Sequence, residues 1–363
     1  MTIPPVPSLK AQVAARWEVA AEEVAAALRQ TVSLAFLGSA SSGKDAAIRA
    51  LFGIDFGQID PVPGSTERVR VAAVDTHPQL RGGNAPGFGD LRAHGPGPAE
   101  QVLDSLDLAI YVVNSDGGAT IDEKRDLDKI RALGRPVLVC LNKIDLIRPA
   151  QREHFVKSTL VQLGVPDDMA VVTAFDPMPQ LSPEPIGVDA VVAWIHGHLG
   201  DGGKALLFAK NLRNKATACE PIIHLAAKRA AMAGAIPVPG ADATAVTAIQ
   251  VKLISDLAAV FGRRIDQDLV LFLLGELLAG GSKGFVRWAV EAAKAAGWLP
   301  GGQLVTVAVS SIGAVISGAA TYGVGRAPVA FLQREGKMTG AELREVFDAS
   351  AFEYRKVRSD EDA

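Results

Sequence analysis

The sequence predicts an α/β domain, a mostly parallel sheet flanked by helices, followed by an all-α helical domain, and three observations carry that prediction. Short apolar, strand-like runs alternate with amphipathic helical patterns from Thr31 to about residue 200. From Lys204 onward the strand-like runs cease, and Ala-rich and Leu-rich helical patterns take over. A chain of 363 residues is too long for one ordinary core and fits two domains.

The elements follow in order. Behind a proline-rich start, Ser8 is placed to cap a helix to about Gln30, with Val13, Trp17, Val24 and Leu28 on one face. This N-terminal helix is expected to pack against a domain. The apolar run 31–37 is the first strand and 43–52 the first helix of the α/β pattern; further strands are expected at 68–75, 79–83, 107–113, 136–141 and 170–174. Helices are expected near 98–105, 120–133, 150–163 and 188–199, and the Asp-Gly-Gly segment at 201–203 ends the pattern. The helical domain from Lys204 to the last residue is broken at Pro237, Pro239, Gly240, Gly262, 280–282 and 300–302. Its last helix opens with a capping-box pattern, Thr339 to Glu342.

Charge and cysteine content exclude several classes. The 37 basic and 40 acidic residues are mixed along the chain, leaving a net charge of −3, so nucleic acid is not expected as a main partner. Cys140 and Cys219 lie far apart with no metal-ligand spacing, which points to neither a disulfide framework nor a zinc site and suits a reducing cytoplasm. The start of the sequence lacks the basic and apolar regions of an export signal.

The chemistry is concentrated in two motifs. Gly38, Ser39, Ala40, Ser41, Ser42, Gly43 and Lys44 have the P-loop spacing, directly after a strand and opening a helix through Asp45 and Ala46. Such glycines let the backbone N–H groups and the helix N-terminus face phosphate oxygens, while Lys44 supplies positive charge. Asp45 stands where the motif has a Ser or Thr hydroxyl for Mg²⁺. The second motif, Asn142, Lys143, Ile144 and Asp145, follows an apolar strand, at the end where open α/β sheets bind ligands. This is the N-K-x-D pattern: the Asp145 carboxylate accepts from N1–H and N2–H₂ of guanine, and adenine would leave it unpaired. Thr173–Ala174, ending the next strand, match the place that offers a backbone N–H to guanine O6.

With these motifs, residues 31–200 resemble the Era-like branch of the translation-factor-class P-loop GTPases. Phe52–Gly53 and the run 61–66 are similar to its switch I stretch, and the resemblance implies that Thr66 reaches Mg²⁺ and the γ-phosphate. Two sites compete for the family's D-x-P-G motif. Asp75 follows Thr66 too closely for the two intervening strands, so Asn84, Ala85, Pro86 and Gly87 are chosen, with Gly87 meeting the γ-phosphate. The metal-side aspartate has then become Asn84 while the P-loop hydroxyl has become Asp45. Either the two exchange roles and keep an oxygen shell for Mg²⁺, or metal binding has decayed. Phe88 follows Gly87 in place of a water-orienting glutamine, which resembles the group that depends on another residue, a partner or dimerisation for hydrolysis. The implied ligands are GTP and GDP with Mg²⁺, the activity a slow or partner-activated GTP hydrolase, and self-association through the GTPase domain is a candidate.

Residues 236–262 resemble the uncharacterised helical domain that follows some bacterial Era-like GTPases. Between Lys294 and Arg326 no side chain is charged, and 304–325 has the length and composition for one small-residue helix. Two readings stand for it: a membrane-contacting segment at the inner face of the membrane, or the buried central helix of a bundle. The helical domain thus has a membrane or a protein as its candidate partner.

Overall fold

The computed structural model describes residues 8–54, 70–74, 77–84, 106–200, 203–235, 241–263, 266–279 and 302–361. The chain forms two compact units. One comprises Ala27–Thr217 and the other Met1–Ala26 with Ala218–Ala363.

The first unit is built on a six-stranded sheet of order β2-β3-β1-β4-β5-β6. Its strands are β1 (Val32–Leu37), β2 (Arg70–Val74), β3 (His77–Asn84), β4 (Leu108–Asn114), β5 (Val137–Asn142) and β6 (Ala170–Val172). All neighbours run parallel except β2, which pairs antiparallel with β3 at the edge. β1 and β5 are buried along their whole lengths, which explains why they read as continuous apolar runs rather than alternating ones.

Helices close both faces. On one, Leu127 and Ile130 of α3 (Ile121–Arg131) and Leu160 and Leu163 of α4 (Pro149–Leu163) join Leu37, Tyr111, Val139 and Leu141 in a single apolar cluster. On the other, Phe36 of β1 meets Phe52 of α2 (Lys44–Phe52) edge to face at 6.3 Å, and Phe52 meets Phe208 at 6.0 Å. Phe208 belongs to α6 (Lys204–Asn211), which follows α5 (Val188–Leu199). α6 lies on the sequence that was expected to begin the helical domain, yet it packs in the sheet unit. Its Phe208 is fully buried, and its Lys204 pairs with Asp107 at the head of β4.

The second unit is helical: α1 (Leu9–Ala27), α7 (Lys215–Gly234, whose first turn belongs to the sheet unit), α8 (Ala241–Val260), α9 (Gln267–Leu274), α10 (Gly302–Gln333) and α11 (Gly340–Glu361). Ser8 Oγ accepts from Ala11 N–H as the capping pattern requires, and Val13 and Ala20 of α1 enter a core with Ile254, Leu273, Val324 and Phe347. The capping box at Thr339 is present, with Glu342 N–H donating to Thr339 Oγ1 and Thr339 N–H to Glu342 Oε2.

The segment 304–325 lies within α10, which runs on through Arg326 and Pro328. Its stretch 319–324 is buried in the helical core. Close approach of α7 and α10 rests on small residues, because a Cβ on Gly313 would lie 2.3 Å from the carbonyl oxygen of Gly234. Among the described residues, no helix is long and apolar enough to cross a membrane.

Candidate functional site

The carboxyl ends of β1, β4, β5 and β6 converge on the loop from Gly38 to Gly43. This loop leaves β1 and enters α2 through backbone conformations that few side chains tolerate: Gly38 at φ 140°, Ser41 at φ 58° and Gly43 at φ 100°. A Cβ on Gly38 would stand 2.2 Å from the Val112 carbonyl oxygen of β4, and one on Gly43 the same distance from Asn142 Nδ2. Neighbouring strands press on both ends of the loop, so these positions require glycine.

Lys44 opens α2 with its side chain buried, and its ammonium folds back onto the loop, donating to Gly38 O at 3.0 Å and Ser39 O at 2.8 Å. The first-turn N–H groups of a helix have no intrahelical partner, so the turn through Asp45 and Ala46 directs donors toward the loop's concavity. Asp45 is half-buried on that turn beside Lys44, and Ala46 is buried. Asn84 closes β3 and pairs in register with Phe36 of β1, which puts it one strand over from the loop's start. Thr66, Gly87, Phe88, Asp75 and the expected helix near 98–105 lie outside the described residues.

The second motif sits against the first. Asn142, buried at the end of β5, donates from Nδ2 to Ser42 O at 2.8 Å. Its Oδ1 accepts from Phe175 N–H at 3.0 Å and Thr173 Oγ1 at 3.4 Å. One amide side chain therefore joins the phosphate loop, the end of β5 and the loop after β6. Lys143 then takes a left-handed turn at φ 64°, and Ile144–Leu146 form a single 3₁₀ turn that carries Asp145. Asp145 is buried and its Oδ2 accepts from Met178 N–H at 3.2 Å.

One expectation is corrected here. Thr173 and Ala174 were expected to offer a backbone N–H to guanine O6, but both N–H groups are already paired. Thr173 N–H donates to Leu141 O at 2.9 Å, and Ala174 N–H to Ile186 O at 3.0 Å in a short antiparallel bridge. The side chains keep a role, since Thr173 Oγ1 helps to hold Asn142.

Two participants escaped the sequence reading. Met178 contributes only a backbone N–H, for which no residue type is diagnostic. Glu123 carried a readable signal, the Thr-x-x-Glu pattern at 120–123, and it forms a capping box at the start of α3. Its second oxygen accepts from Ser39 Oγ of the phosphate loop at 3.0 Å. Beneath the site, burial pushes the Cys140 thiol and the Tyr111 phenol well above their ordinary ranges, with the nearby acids Asp126, Glu123 and Asp122 adding to the effect on Tyr111. Both groups are neutral packing elements.

Solved structures similar to part of this chain include a probable GTP-binding protein engB, at 18 % identity over 46 % of this chain and 98 % of that one, with a TM-score of 0.33. Era in complex with MgGDPNP and a segment of 16S ribosomal RNA is 19 % identical over 55 % of this chain and 67 % of that one, with a TM-score of 0.37. NFeoB of S. thermophilus bound to GDP and aluminium fluoride is 19 % identical over 68 % and 91 %, with a TM-score of 0.35. No curated protein matches the chain. Residues 206–351 match the family model described as "Domain of unknown function (DUF697)", a match that covers most of the helical half and less than half of the whole chain.

Proposed function

We propose that this chain is a guanine-nucleotide-binding protein that hydrolyses GTP slowly, or on association with a partner or a second copy. Its nucleotide state would reposition the helical domain toward a partner or a membrane surface. The observation that carries the reading is the bond from Asn142 Nδ2 to Ser42 O, because it ties the base-reading motif to the phosphate loop. Two short motifs far apart in sequence, each ambiguous alone, thereby meet at the carboxyl end of a parallel sheet.

In this reading Gly38 to Ala46 wrap the phosphates with backbone N–H groups, and Lys44 exchanges its contacts with loop carbonyls for anionic phosphate oxygens, which are stronger acceptors. The left-handed Lys143 turns the chain so that Asp145 faces the N1 and N2 edge of guanine. Thr66 and Gly87 sense the γ-phosphate, as the family resemblance implies. Asp45 and Asn84 both carry oxygen donors of the kind Mg²⁺ prefers, and Asp45 stands on the first turn of α2 beside Lys44, so in this reading these two residues would hold the ion. When bound, Mg²⁺ would neutralise charge on the β and γ oxygens.

A second reading, a nucleotide-binding scaffold without hydrolysis, is favoured by Asp45, because a carboxylate beside the phosphates repels them unless a cation intervenes. Phosphate release measured over a range of protein concentrations separates the two. The switch reading expects turnover per molecule to rise with concentration, and absence of turnover from a GTP-saturated protein at every concentration overturns it. For the metal, Asp45→Ser is expected to change the Mg²⁺ dependence of GTP affinity; affinity independent of Mg²⁺ in both proteins would reject the exchange with Asn84.

A further inference from the structure

The capping box at the start of α3 has an arm that capping does not use. Glu123 Oε2 serves the helix, accepting from Thr120 N–H and Thr120 Oγ1 at 3.0 Å each. Oε1 turns the other way and accepts from Ser39 Oγ, also at 3.0 Å. Glu123 is only 4 % exposed, and a carboxylate at that depth needs donors on both oxygens. Ser39 is one of them, and it belongs to the phosphate loop.

Ser39 is also where the loop meets its lysine, since Ser39 O accepts from Lys44 Nζ at 2.8 Å. A continuous path therefore runs from Glu123 through the Ser39 hydroxyl and carbonyl to Lys44. The opposite shoulder of the loop is held by Asn142 on Ser42 O. Between the two anchors lies Ser41 in a left-handed conformation that a non-glycine residue adopts only under constraint. A loop so shaped keeps its N–H groups aligned only while both shoulders are fixed.

We propose that Glu123 is a positioning residue for the phosphate loop: by holding the Ser39 hydroxyl it fixes the first shoulder and the carbonyl on which Lys44 is registered, and so slows nucleotide release. This rests on the phosphate-binding reading given above. Ser39→Ala removes the link and leaves the Thr120–Glu123 cap in place. Glu123→Ala removes both, Glu123→Gln keeps an accepting oxygen, and Thr120→Ala weakens the cap alone.

The experiment is stopped-flow release of a fluorescent GDP analogue from the full chain, with thermal unfolding of each variant recorded alongside. Ser39→Ala is expected to speed release about tenfold, the scale of one hydrogen bond to a charged group, with a lowered melting temperature because a buried carboxylate oxygen loses its donor, so release is read well below the unfolding transition of each variant. Glu123→Gln should restore part of what Glu123→Ala loses, and the Ser39→Ala/Glu123→Ala double variant should release no faster than Glu123→Ala. Release from Ser39→Ala at the wild-type rate, or independent effects that multiply in the double variant, overturns the inference while leaving nucleotide binding intact. A wild type that binds no guanine nucleotide overturns the functional reading itself, and this inference with it.

Discussion

Gly43→Ala is the substitution whose consequence can be worked most directly from the structure. Gly43 caps α2 at φ 100°, ψ 27°, and a Cβ there would stand 2.2 Å from Asn142 Nδ2. Holding an alanine in left-handed backbone costs about 1–2 kcal/mol. The amide of Asn142 cannot retreat without loss, because it is buried and bonded at both ends, to Ser42 O on one side and to Phe175 N–H on the other. Breaking its bond to the loop and leaving a buried polar group unmatched adds about 1–3 kcal/mol. The expected loss of stability is therefore about 2–5 kcal/mol. Gly164 is the control, with φ 63° and nothing within 4 Å of its added Cβ, so that Gly164→Ala carries the backbone cost alone. Thermal and urea unfolding of the two variants, with guanine-nucleotide affinity measured in parallel, gives the comparison. The reasoning is refuted if Gly43→Ala is no more destabilising than Gly164→Ala and binds nucleotide as the wild type does.

Other predictions follow from single contacts. Thr339→Ala removes the capping box at the start of α11 and should lower stability by about 1 kcal/mol, read as a shift in the urea midpoint, with nucleotide affinity unchanged. Cys140, fully buried with its thiol held neutral, should resist alkylation in the native chain at pH 8 and react once urea unfolds it; rapid native labelling, located by mass spectrometry, would contradict that burial. Arg49→Ala breaks an ion pair with Asp176 in which both partners are a third or more exposed, and should change the melting temperature little.

The two motifs were legible because each is a contiguous run whose residue types follow from its chemistry, and each sits where a strand gives way to a turn. The parallel strands were legible for a related reason: full burial leaves an unbroken apolar run such as 137–142. What could not be read was pairing across distance. Ser39 and Glu123 are separated by α2 and by β2 to β4, and nothing in either residue names the other. The N–H groups of Thr173 and Ala174 looked available because their partners, Leu141 O and Ile186 O, are backbone atoms with no sequence signature. The full extent of α10 could not be read either, since the sequence marked only 304–325 inside the uncharged stretch before Arg326. In the fold Arg326 pairs with Glu220 of α7, and the buried Ala327 and Val329 carry the helix on through Pro328. The sheet unit gained α6 for a similar reason, since the core that helix serves is set by distant partners, Phe36 and Phe52 for Phe208 and Asp107 for Lys204.

The central claim, that Asp145 and the phosphate loop form one guanine-nucleotide site, is tested most directly by displacing a fluorescent GTP analogue from the full chain with unlabelled GTP or ATP in the presence of Mg²⁺, for the wild type and Asp145→Ala. The account predicts displacement by GTP at concentrations at least about a hundredfold below those needed for ATP, the scale of two hydrogen bonds to a buried carboxylate, with that preference lost in Asp145→Ala. Equal displacement by GTP and ATP from the wild type, or a preference that survives in Asp145→Ala, would contradict it.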